Sequence, residues 1–409
     1  MLPISQTQRD SEWNRLPFRT TLHIFHEALF SREIHVIFFQ EDPVYLTMAL
    51  LICLWISQTN LGVAADQGFQ NALPGRNLVF PKDHGQHPDF QTEWWYFTGN
   101  VDSPGDSGAW GFQLTFFRRS MGAGINRGAS AWAVRDVYPA HFAMSDITNK
   151  DFFHSQLISR AGPGLASSAT DKLDVKIRDW KATMDGNTIQ ISAREGDYAF
   201  SFRLLSEKPL VLHGMAGFSR KSDAENQASY YYSFTRLKAE GTLTFKGTTH
   251  TVSGLAWMDH EFGSSVVLPS QSGWDWFSVQ FDDGTELMVS RMRRKSGEAE
   301  KPFGTFVNKD GSIVDLEKQE IVISARNTWT SPHTGARYPS GWTLEIPSLN
   351  VELQIEPALK DQELAGGESF GVVYWEGAVA VTGMRNGRPV QGRGYVELTG
   401  YAGSLGGLL

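Results

Sequence analysis

The sequence has very little cysteine: Cys53 is the only one in 409 residues. An intramolecular disulfide and a metal site built from several cysteines are therefore both excluded. Positive charge is also scarce, since 37 Lys and Arg stand against 45 Asp and Glu and no run of five basic residues occurs. The chain thus lacks the basic surface that follows nucleic-acid phosphates, and we expect no nucleic-acid partner.

Charged residues of both signs make up only 20% of the chain, while hydrophobic residues make up 41% and aromatic residues 12%. This composition excludes an intrinsically disordered chain and predicts a globular protein rich in flat side chains. The length is sufficient for two or three domains with a large buried core.

Long apolar runs are missing as well. The run VYLTMALLICLWI at residues 44–56 has 13 residues, fewer than the roughly 20 that a membrane-spanning helix needs. It fits the hydrophobic segment of a signal peptide, and the small residues at 63–65 suit signal peptidase. We therefore interpret residues 1–65 as a leader that is cleaved after Ala65, and we expect a periplasmic or secreted protein that starts at Asp66.

The segment before this run departs from a typical signal peptide, because residues 1–43 carry six acidic and only four basic residues. A start codon at Met48 would remove the segment and leave a compact signal, which N-terminal sequencing tests. The alternative is an apolar helix that stays in place as an anchor. A lipid anchor on Cys53 is disfavoured, because the bulky Ile52 precedes it.

Beyond the leader, short runs of β-branched and aromatic residues are separated by turn residues, and no long stretch keeps a helical period. Hairpin turns are predicted where Asp or Asn precedes Gly, at Asp185-Gly186, Asp283-Gly284, Asp310-Gly311 and Asn386-Gly387. At about eight strands per barrel, this length accommodates two units. We predict an all-β chain of two antiparallel barrels in tandem, at residues 76–262 and 263–409, with the boundary in the turn-rich segment 263–273.

The sequence FPKDHGQHPDFQTEWWYFTGNV at 80–101 concentrates titratable residues. His84, His87 and Glu93 have ligand types suited to a divalent metal, but the spacing is weakly specific. Hydrogen bonding within a loop is the favoured alternative, so we predict no metal and no cofactor. Strand alternation places Glu93 and Trp95 on one face. A carboxylate buried among aromatic rings is a candidate site residue, with a structural salt bridge as the alternative.

A second candidate segment, GLAWMDHEFGS, covers residues 254–264. In a strand, Trp257, Asp259 and Glu261 share one face, and the two carboxyls lie roughly 6–7 Å apart. An apolar wall and a neighbouring like charge raise one pKa, so that one carboxyl is protonated at neutral pH. We place the catalytic residues here. The alternative is that both carboxylates accept hydrogen bonds from backbone amides at the end of the strand.

Aromatic pairs supply candidate ligand-binding residues. Alternation places Tyr230 and Tyr232 on one face of their strand, and Trp274 and Trp276 on one face of theirs. Trp375 belongs to a third aromatic run. Such surfaces suit a long apolar ligand or a sugar ring, with ordinary core packing as the alternative.

These segments, together with GWDWFSVQFDDGTELMVSRMR at 273–293 and GRGYVELTGY at 392–401, resemble the secreted AttH proteins, which are grouped with the carotenoid 1,2-hydratases. The resemblance extends over about residues 76–402. It implies two lipocalin-like barrels in tandem and cofactor-free chemistry on polyenes, prenyl groups and terpenoids.

The family's proposed acid/base aspartate lies in an aromatic-x-Asp motif, which Trp257-Met258-Asp259 matches. The resemblance therefore implies that Asp259 is catalytic. A His-x-Trp pair on an upstream strand corresponds best to Tyr230-Tyr231-Tyr232, where neither residue is kept. This departure argues against carotenoid hydration itself and leaves a related acid-catalysed reaction open.

The favoured interpretation is an exported protein that binds an isoprenoid, polyene or lipid and acts on it as a hydratase or isomerase. Asp259 would donate the proton, Trp257 and Tyr232 would stabilise the resulting cation, and Asp259 or Glu261 would then activate water.

Two alternatives remain. The first is a non-catalytic periplasmic lipid carrier working with an ABC-transporter permease, because some AttH genes lie beside genes for such a permease. The second is a secreted hydrolase, either metal-assisted through His84, His87 and Glu93 or glycosidic through two carboxylates. Retained affinity without turnover distinguishes the carrier, and sensitivity to chelators distinguishes the metal-assisted hydrolase.

Overall fold

The computed structural model describes residues 68–105, 107–122, 134–222, 227–264, 267–316, 320–365 and 372–405. The predicted leader, its apolar segment 44–56 and the predicted cleavage after Ala65 lie outside the described residues. Among the residues that are described, no helix is long and apolar enough to span a membrane.

Antiparallel strands joined by turns form nearly all of the regular structure, and helix in the described ranges is limited to two short 3₁₀ helices at Lys82–His84 and Pro347–Leu349. The β-branched and aromatic residues in the sequence runs explain this, because their side chains pack well on a pleated surface. The prediction of an all-β chain with two lipocalin-like units is confirmed.

The first sheet has thirteen described strands and curls into a nearly closed barrel. In chain order they are β1 (Thr92–Asp102), β2 (Ala109–Ser120), β3 (Asp136–Asp146), β4 (Asp151–Arg160), β5 (Ala166–Ser168), β6 (Asp174–Ile177), β7 (Trp180–Asp185), β8 (Thr188–Glu195), β9 (Tyr198–Ser206), β10 (Val211–Leu212), β11 (Phe218–Arg220), β12 (Ala228–Phe245) and β13 (Thr248–Gly263). Their order across the sheet is β4-β3-β2-β1-β13-β12-β9-β8-β7-β6-β5, and β10 and β11 pair with β12.

The second sheet has ten described strands and curls into a half-barrel. They are β14 (Gln271–Phe281), β15 (Glu286–Arg294), β16 (Phe303–Val307), β17 (Ile313–Asp315), β18 (Val322–Thr330), β19 (Arg337–Ile346), β20 (Val351–Pro357), β21 (Glu363–Leu364), β22 (Tyr374–Arg385) and β23 (Arg388–Thr399). Their order is β17-β16-β15-β14-β23-β22-β20-β19-β18, and β21 pairs with β22. The last strand of the first sheet ends at Gly263, and the first strand of the second sheet begins at Gln271.

The four predicted hairpin turns lie between β7 and β8, β14 and β15, β16 and β17, and β22 and β23. The last turn shows why the sequence Asn-Gly is suited to this position. Asn386 and Gly387 have φ of 51° and 72°, the two left-handed residues of a type I′ turn, whose twist matches that of the flanking strands.

Each sheet encloses its own hydrophobic core, and a third cluster packs between the sheets. Trp95 and Phe97 of β1 point into the first core, whereas Phe277 of β14 and Leu398 of β23 point into the second. The residues between the sheets are Tyr96, Tyr231, Trp257, Trp276, Met288, Ala378 and Tyr395. Because side chains alternate along a strand, β1, β13, β14 and β23 each supply both a sheet's own core and the space between the sheets.

Hydrogen bonds also join the two sheets. The Gln280 amide donates to the carbonyl oxygens of Thr235 and Ala256 across 2.7 and 2.9 Å. The Tyr96 hydroxyl donates to Oε1 of Glu376 across 2.5 Å. These buried contacts fix the position of one sheet against the other and so define the space between them.

Candidate functional site

A cleft lies between the two sheets. Its walls combine aromatic rings with three carboxyl groups and one lysine. The lining residues are Thr92, Trp94, Tyr96, Thr115, Phe117, Lys221, Tyr231, Asp259, Glu261, Trp274, Trp276, Ser290, Met292, Phe303 and Glu397. The site is therefore built by both sheets and lies outside the core of either one.

Asp259 lies on the wall that the first sheet contributes to the cleft. It lies on β13 opposite Tyr96 of β1 and Ser233 of β12. Trp257 and Glu261 lie two residues away on the same strand, so alternation brings all three side chains to the side that faces the second sheet. The predicted trio therefore shares one face, with Asp259 and Glu261 lining the cleft and Trp257 in the cluster between the sheets.

Three donors bind the Asp259 carboxyl. The indole nitrogen of Trp257 lies 2.6 Å from Oδ1, the hydroxyl of Ser233 also donates to Oδ1, and the hydroxyl of Tyr231 lies 2.7 Å from Oδ2. Burial nevertheless raises the pKa of Asp259 to about 7, against the opposing effect of the three donors and with a small contribution from the charge of Glu261. At neutral pH a large fraction of Asp259 is protonated and able to donate a proton.

Glu261 is ion-paired instead. Nζ of Lys221 lies 2.6 Å from its Oε1, and the Ser229 hydroxyl donates to the same oxygen. The ammonium group also lies 4.8 Å from the centroid of the Tyr231 ring, within the range of a cation–π contact. The positive charge of the cleft lysine is thus already compensated.

Glu397 contributes a further carboxyl from β23 of the second sheet. Its Oε2 accepts a hydrogen bond of 2.7 Å from the indole nitrogen of Trp274. Burial raises the pKa of Glu397 to about 7, and the charges of Asp259 and Glu261 add to the effect. The sequence did not lead us to this residue. A signal was present, because Glu397 is the one acidic residue of segment 392–401, which carries part of the family resemblance, and it lies between the apolar Val396 and Leu398.

Comparison with known proteins identifies the family. The chain matches the AttH-like family model over residues 71–401. It belongs to the AttH-like family. A solved structure of an AttH from Nitrosomonas europaea is 37% identical, with a TM-score of 0.72 over 81% of this chain and 100% of the other. No curated protein matches the sequence significantly.

The AttH-like fold also occurs in a known hydratase. Kievitone hydratase from Nectria haematococca is 16% identical, with a TM-score of 0.62 over 82% of this chain and 98% of the other. At that identity the likeness shows a common fold. The AttH-like chain and kievitone hydratase therefore share one fold.

Several predicted ligand-binding residues of this AttH-like chain lie away from the cleft. Trp274 and Trp276 line it, but Tyr230 and Tyr232 point to the opposite side of β12, and Tyr231 between them lines the cleft instead. Tyr232 is therefore not placed to stabilise a cation beside Asp259. Alternation correctly grouped these tyrosines by face, but it does not say which face meets the second sheet.

Three other candidates belong to hydrophobic cores or to their edges. Trp95 packs in the core of the first barrel and donates its indole hydrogen to the carbonyl oxygen of His84 across 3.0 Å. Trp375 packs in the core of the second sheet and donates to the carbonyl oxygen of Lys360 across 2.7 Å. Glu93 lies on the same side of β1 as Trp95 and is fully buried.

The buried Glu93 carboxylate is held by a network of charges. Oε1 lies 2.7 Å from Nδ1 of His87 and 2.9 Å from Nε2 of His260, while Oε2 accepts from Nε of Arg118 across 3.0 Å. Burial alone would raise the pKa of Glu93, but the charge of His87, its hydrogen bonds and the charge of Arg118 hold it well below the usual range. The geometry is that of a structural ion-pair network.

The residues predicted as candidate metal ligands, His84, His87 and Glu93, already make hydrogen bonds within this network or beside it. The ligand atoms of His87, Glu93 and His260 lie within 4.8 Å of one another. However, Nε2 of His87 is 2.9 Å from Oδ1 of Asp83, so both ring nitrogens of His87 face carboxylate oxygens and carry hydrogens. Nδ1 of His84 is 2.7 Å from the hydroxyl of Tyr232. A metal ion would have to replace several of these hydrogen bonds.

Proposed function

We propose that the cleft between the sheets binds an uncharged hydrophobic molecule with an alkene, and that Asp259 protonates it without a cofactor. The observation that carries this proposal is the buried Asp259 carboxyl, which lines an aromatic cleft and accepts hydrogen bonds from three uncharged donors. Burial raises its pKa to about 7. A carboxyl with a pKa near neutral pH can donate a proton to the ligand and take up another proton from solvent afterwards.

The reaction begins with transfer of the Asp259 proton to one alkene carbon, which leaves a carbocation on the other. Aromatic faces attract cations through their quadrupoles, and Trp276 and Tyr96 lie on the same cleft with ring centroids 5.2 Å apart. Addition of water then gives an alcohol, and loss of a proton from a neighbouring carbon gives an isomer. Hydratase and isomerase activity therefore share the first step.

The charges in the cleft favour an uncharged ligand over an anionic lipid. The charge of Lys221 is compensated by Glu261. The remaining ionisable groups that line the cleft are the carboxyls of Asp259 and Glu397 and the hydroxyls of Tyr96 and Tyr231. A fatty-acid carboxylate would meet no unpaired cation among the lining residues and would lie near two further carboxyls. We propose an isoprenoid or polyene as ligand, in a protein exported through the apolar segment at 44–56.

Purification of the protein from its own host, with mass spectrometry of whatever copurifies, tests this proposal. We expect a polyene or isoprenoid together with its hydrated or isomerised product. The Asp259→Asn variant should then retain the unchanged molecule alone. A phospholipid or fatty acid recovered unchanged from both proteins would contradict the proposal and indicate a carrier.

A further inference from the structure

Protonation by Asp259 creates a second requirement that the reaction must meet. The carbocation is consumed only when a base takes a proton, either from the water that adds to it or from a neighbouring carbon. Glu261 is the poorer base because the ammonium group of Lys221 lies 2.6 Å from its Oε1 and neutralises the charge that would attract a proton. Asp259 itself accepts hydrogen bonds from three donors, two of them on Oδ1.

Glu397 is differently placed. Trp274 donates to its Oε2, and Oε1 accepts no hydrogen bond from the part of the chain that the structure describes. The residue lines the same cleft as Asp259, but it comes from β23 of the second sheet. A carboxyl held by one oxygen and free at the other is oriented and still able to accept a proton.

We propose that Glu397 is the base of this reaction, an inference that rests on the proposed function of Asp259. In hydration, the oxygen of a water forms a bond to the cationic carbon while one O–H bond breaks and its proton passes to Oε1 of Glu397. In isomerisation, a C–H bond next to the cation breaks, its electron pair forms the new double bond, and the proton passes to the same oxygen. The cycle closes when solvent returns a proton to Asp259 and removes one from Glu397.

The electrostatics of the cleft support this division of roles. The pKa values of both carboxyls are raised to about 7, and the charge of Asp259 contributes to the shift of Glu397. Because the charge of Asp259 raises the pKa of Glu397, ionisation of one carboxyl disfavours ionisation of the other. One protonated and one ionised carboxyl on the same cleft is the state that the reaction requires.

The coupling is tested first without any ligand, by carbon-13 NMR titration of the protein labelled at its Asp and Glu carboxyls. Removing one charge should lower the pKa of the other group, so Glu397→Gln lowers the pKa of Asp259 and Asp259→Asn lowers that of Glu397. Glu352→Gln, on the exposed side of β20, is the matched control and should shift neither. An Asp259 titration that is the same in wild type and Glu397→Gln would overturn the coupling.

A stable cation provides the second test, because it mimics the charge of the carbocation. We expect dodecyltrimethylammonium, below its micellar concentration, to bind the wild type with release of a proton, and to bind Glu397→Gln and Asp259→Asn at least about 10-fold more weakly at pH 8. Dodecanol, which carries no charge, should bind all three proteins alike. Near-UV circular dichroism checks that each variant is folded.

The outcomes separate the two proposals. A loss of cation affinity in Asp259→Asn but not in Glu397→Gln would overturn the role of Glu397 and leave the proposed function standing. Unchanged affinity in both variants would overturn both. With the copurifying molecule in hand, Glu397→Gln should lower kcat about 10²- to 10⁴-fold and change KM little, because a base acts on the transition state. An unchanged kcat would contradict the assignment.

Discussion

The indole nitrogen of Trp257 donates a hydrogen bond of 2.6 Å to Oδ1 of Asp259, two residues further along the same strand. Alternation places both side chains on the side of β13 that faces the second sheet. The contact favours the ionised carboxylate and so opposes the effect of burial on the pKa of Asp259. The aromatic residue of the aromatic-x-Asp motif thus tunes the acid directly.

Replacing this donor should make Asp259 a weaker acid. In Trp257→Phe the ring is kept and the hydrogen bond is lost, so we expect the pKa of Asp259 to rise by about one unit, the equivalent of a hydrogen bond to a charged group. Carboxyl-resolved NMR titration measures the shift. The control is Trp274→Phe, which removes the donor to Glu397 and should raise the pKa of that residue more than that of Asp259. A lower pKa of Asp259 in Trp257→Phe would contradict this account.

The pH dependence of stability provides a separate check on Asp259. Its pKa is about 7 in the folded protein and near 4 in an unfolded chain, so the folded state binds the proton more tightly. The stabilisation is fully present below about pH 4 and is lost as the pH rises through about 7. The side chain in Asp259→Asn cannot titrate. As the pH rises from about 4 to about 7, the unfolding free energy of the wild type should therefore fall by up to about 4 kcal/mol relative to that of the variant. Urea unfolding at several pH values measures this difference.

The control for that experiment is Asp89→Asn, since Asp89 is exposed in the loop before β1. Its unfolding free energy should follow the wild-type curve over the whole range. A constant difference between wild type and Asp259→Asn at all pH values would show that burial does not perturb this carboxyl.

Removal of the guanidinium beside Glu93 should be strongly destabilising. Arg118 is fully buried, and Arg118→Met leaves the Glu93 carboxylate without its nearest permanent cation. Breaking one partner of a buried pair costs about 3–5 kcal/mol, which denaturant unfolding measures. Lys238→Met is the control, because Lys238 and Glu240 form a surface pair with about half of each side chain exposed, and its loss should destabilise the protein far less. Equal losses in the two variants would contradict the structural role assigned to the network.

Side chains of the second sheet pack closely against the backbone of Gly111 in the first sheet. A Cβ on Gly111 of β2 would lie 2.6 Å from the hydroxyl of Tyr395 and 2.8 Å from Cβ of Ala378, both in the second sheet. Gly111→Ala should therefore cost about 1–3 kcal/mol by forcing the sheets apart. The control is Gly105→Ala, whose added methyl group meets no atom within 4 Å. Thermal unfolding compares the two, and equal midpoints would contradict the close packing at Gly111.

The fold could be predicted from the sequence because its signals are local. Alternation and Asn-Gly or Asp-Gly turns indicate strands and hairpins within about ten residues, and each predicted turn lies between consecutive strands. The same alternation predicted that Trp257, Asp259 and Glu261 share a face. These features need no information about distant parts of the chain.

The rest of the site depends on contacts between distant segments. Whether Tyr231 or its neighbours line the cleft depends on which side of β12 meets the second sheet. The ion pair of Lys221 with Glu261 and the position of Glu397 opposite the first sheet depend on how loops and sheets pack. Alternation along a strand predicts which side chains share a face, but it does not predict which other part of the chain packs against that face.

A ligand in a cleft with one wall from each sheet would contact both halves of the protein, each of which has its own hydrophobic core. A bound molecule adds nothing to either core and acts only on the association of the halves, by an amount that grows with the ratio of its concentration to Kd. Saturation should therefore slow hydrogen exchange in β13 and β14, which line the cleft, more than in the outer strands.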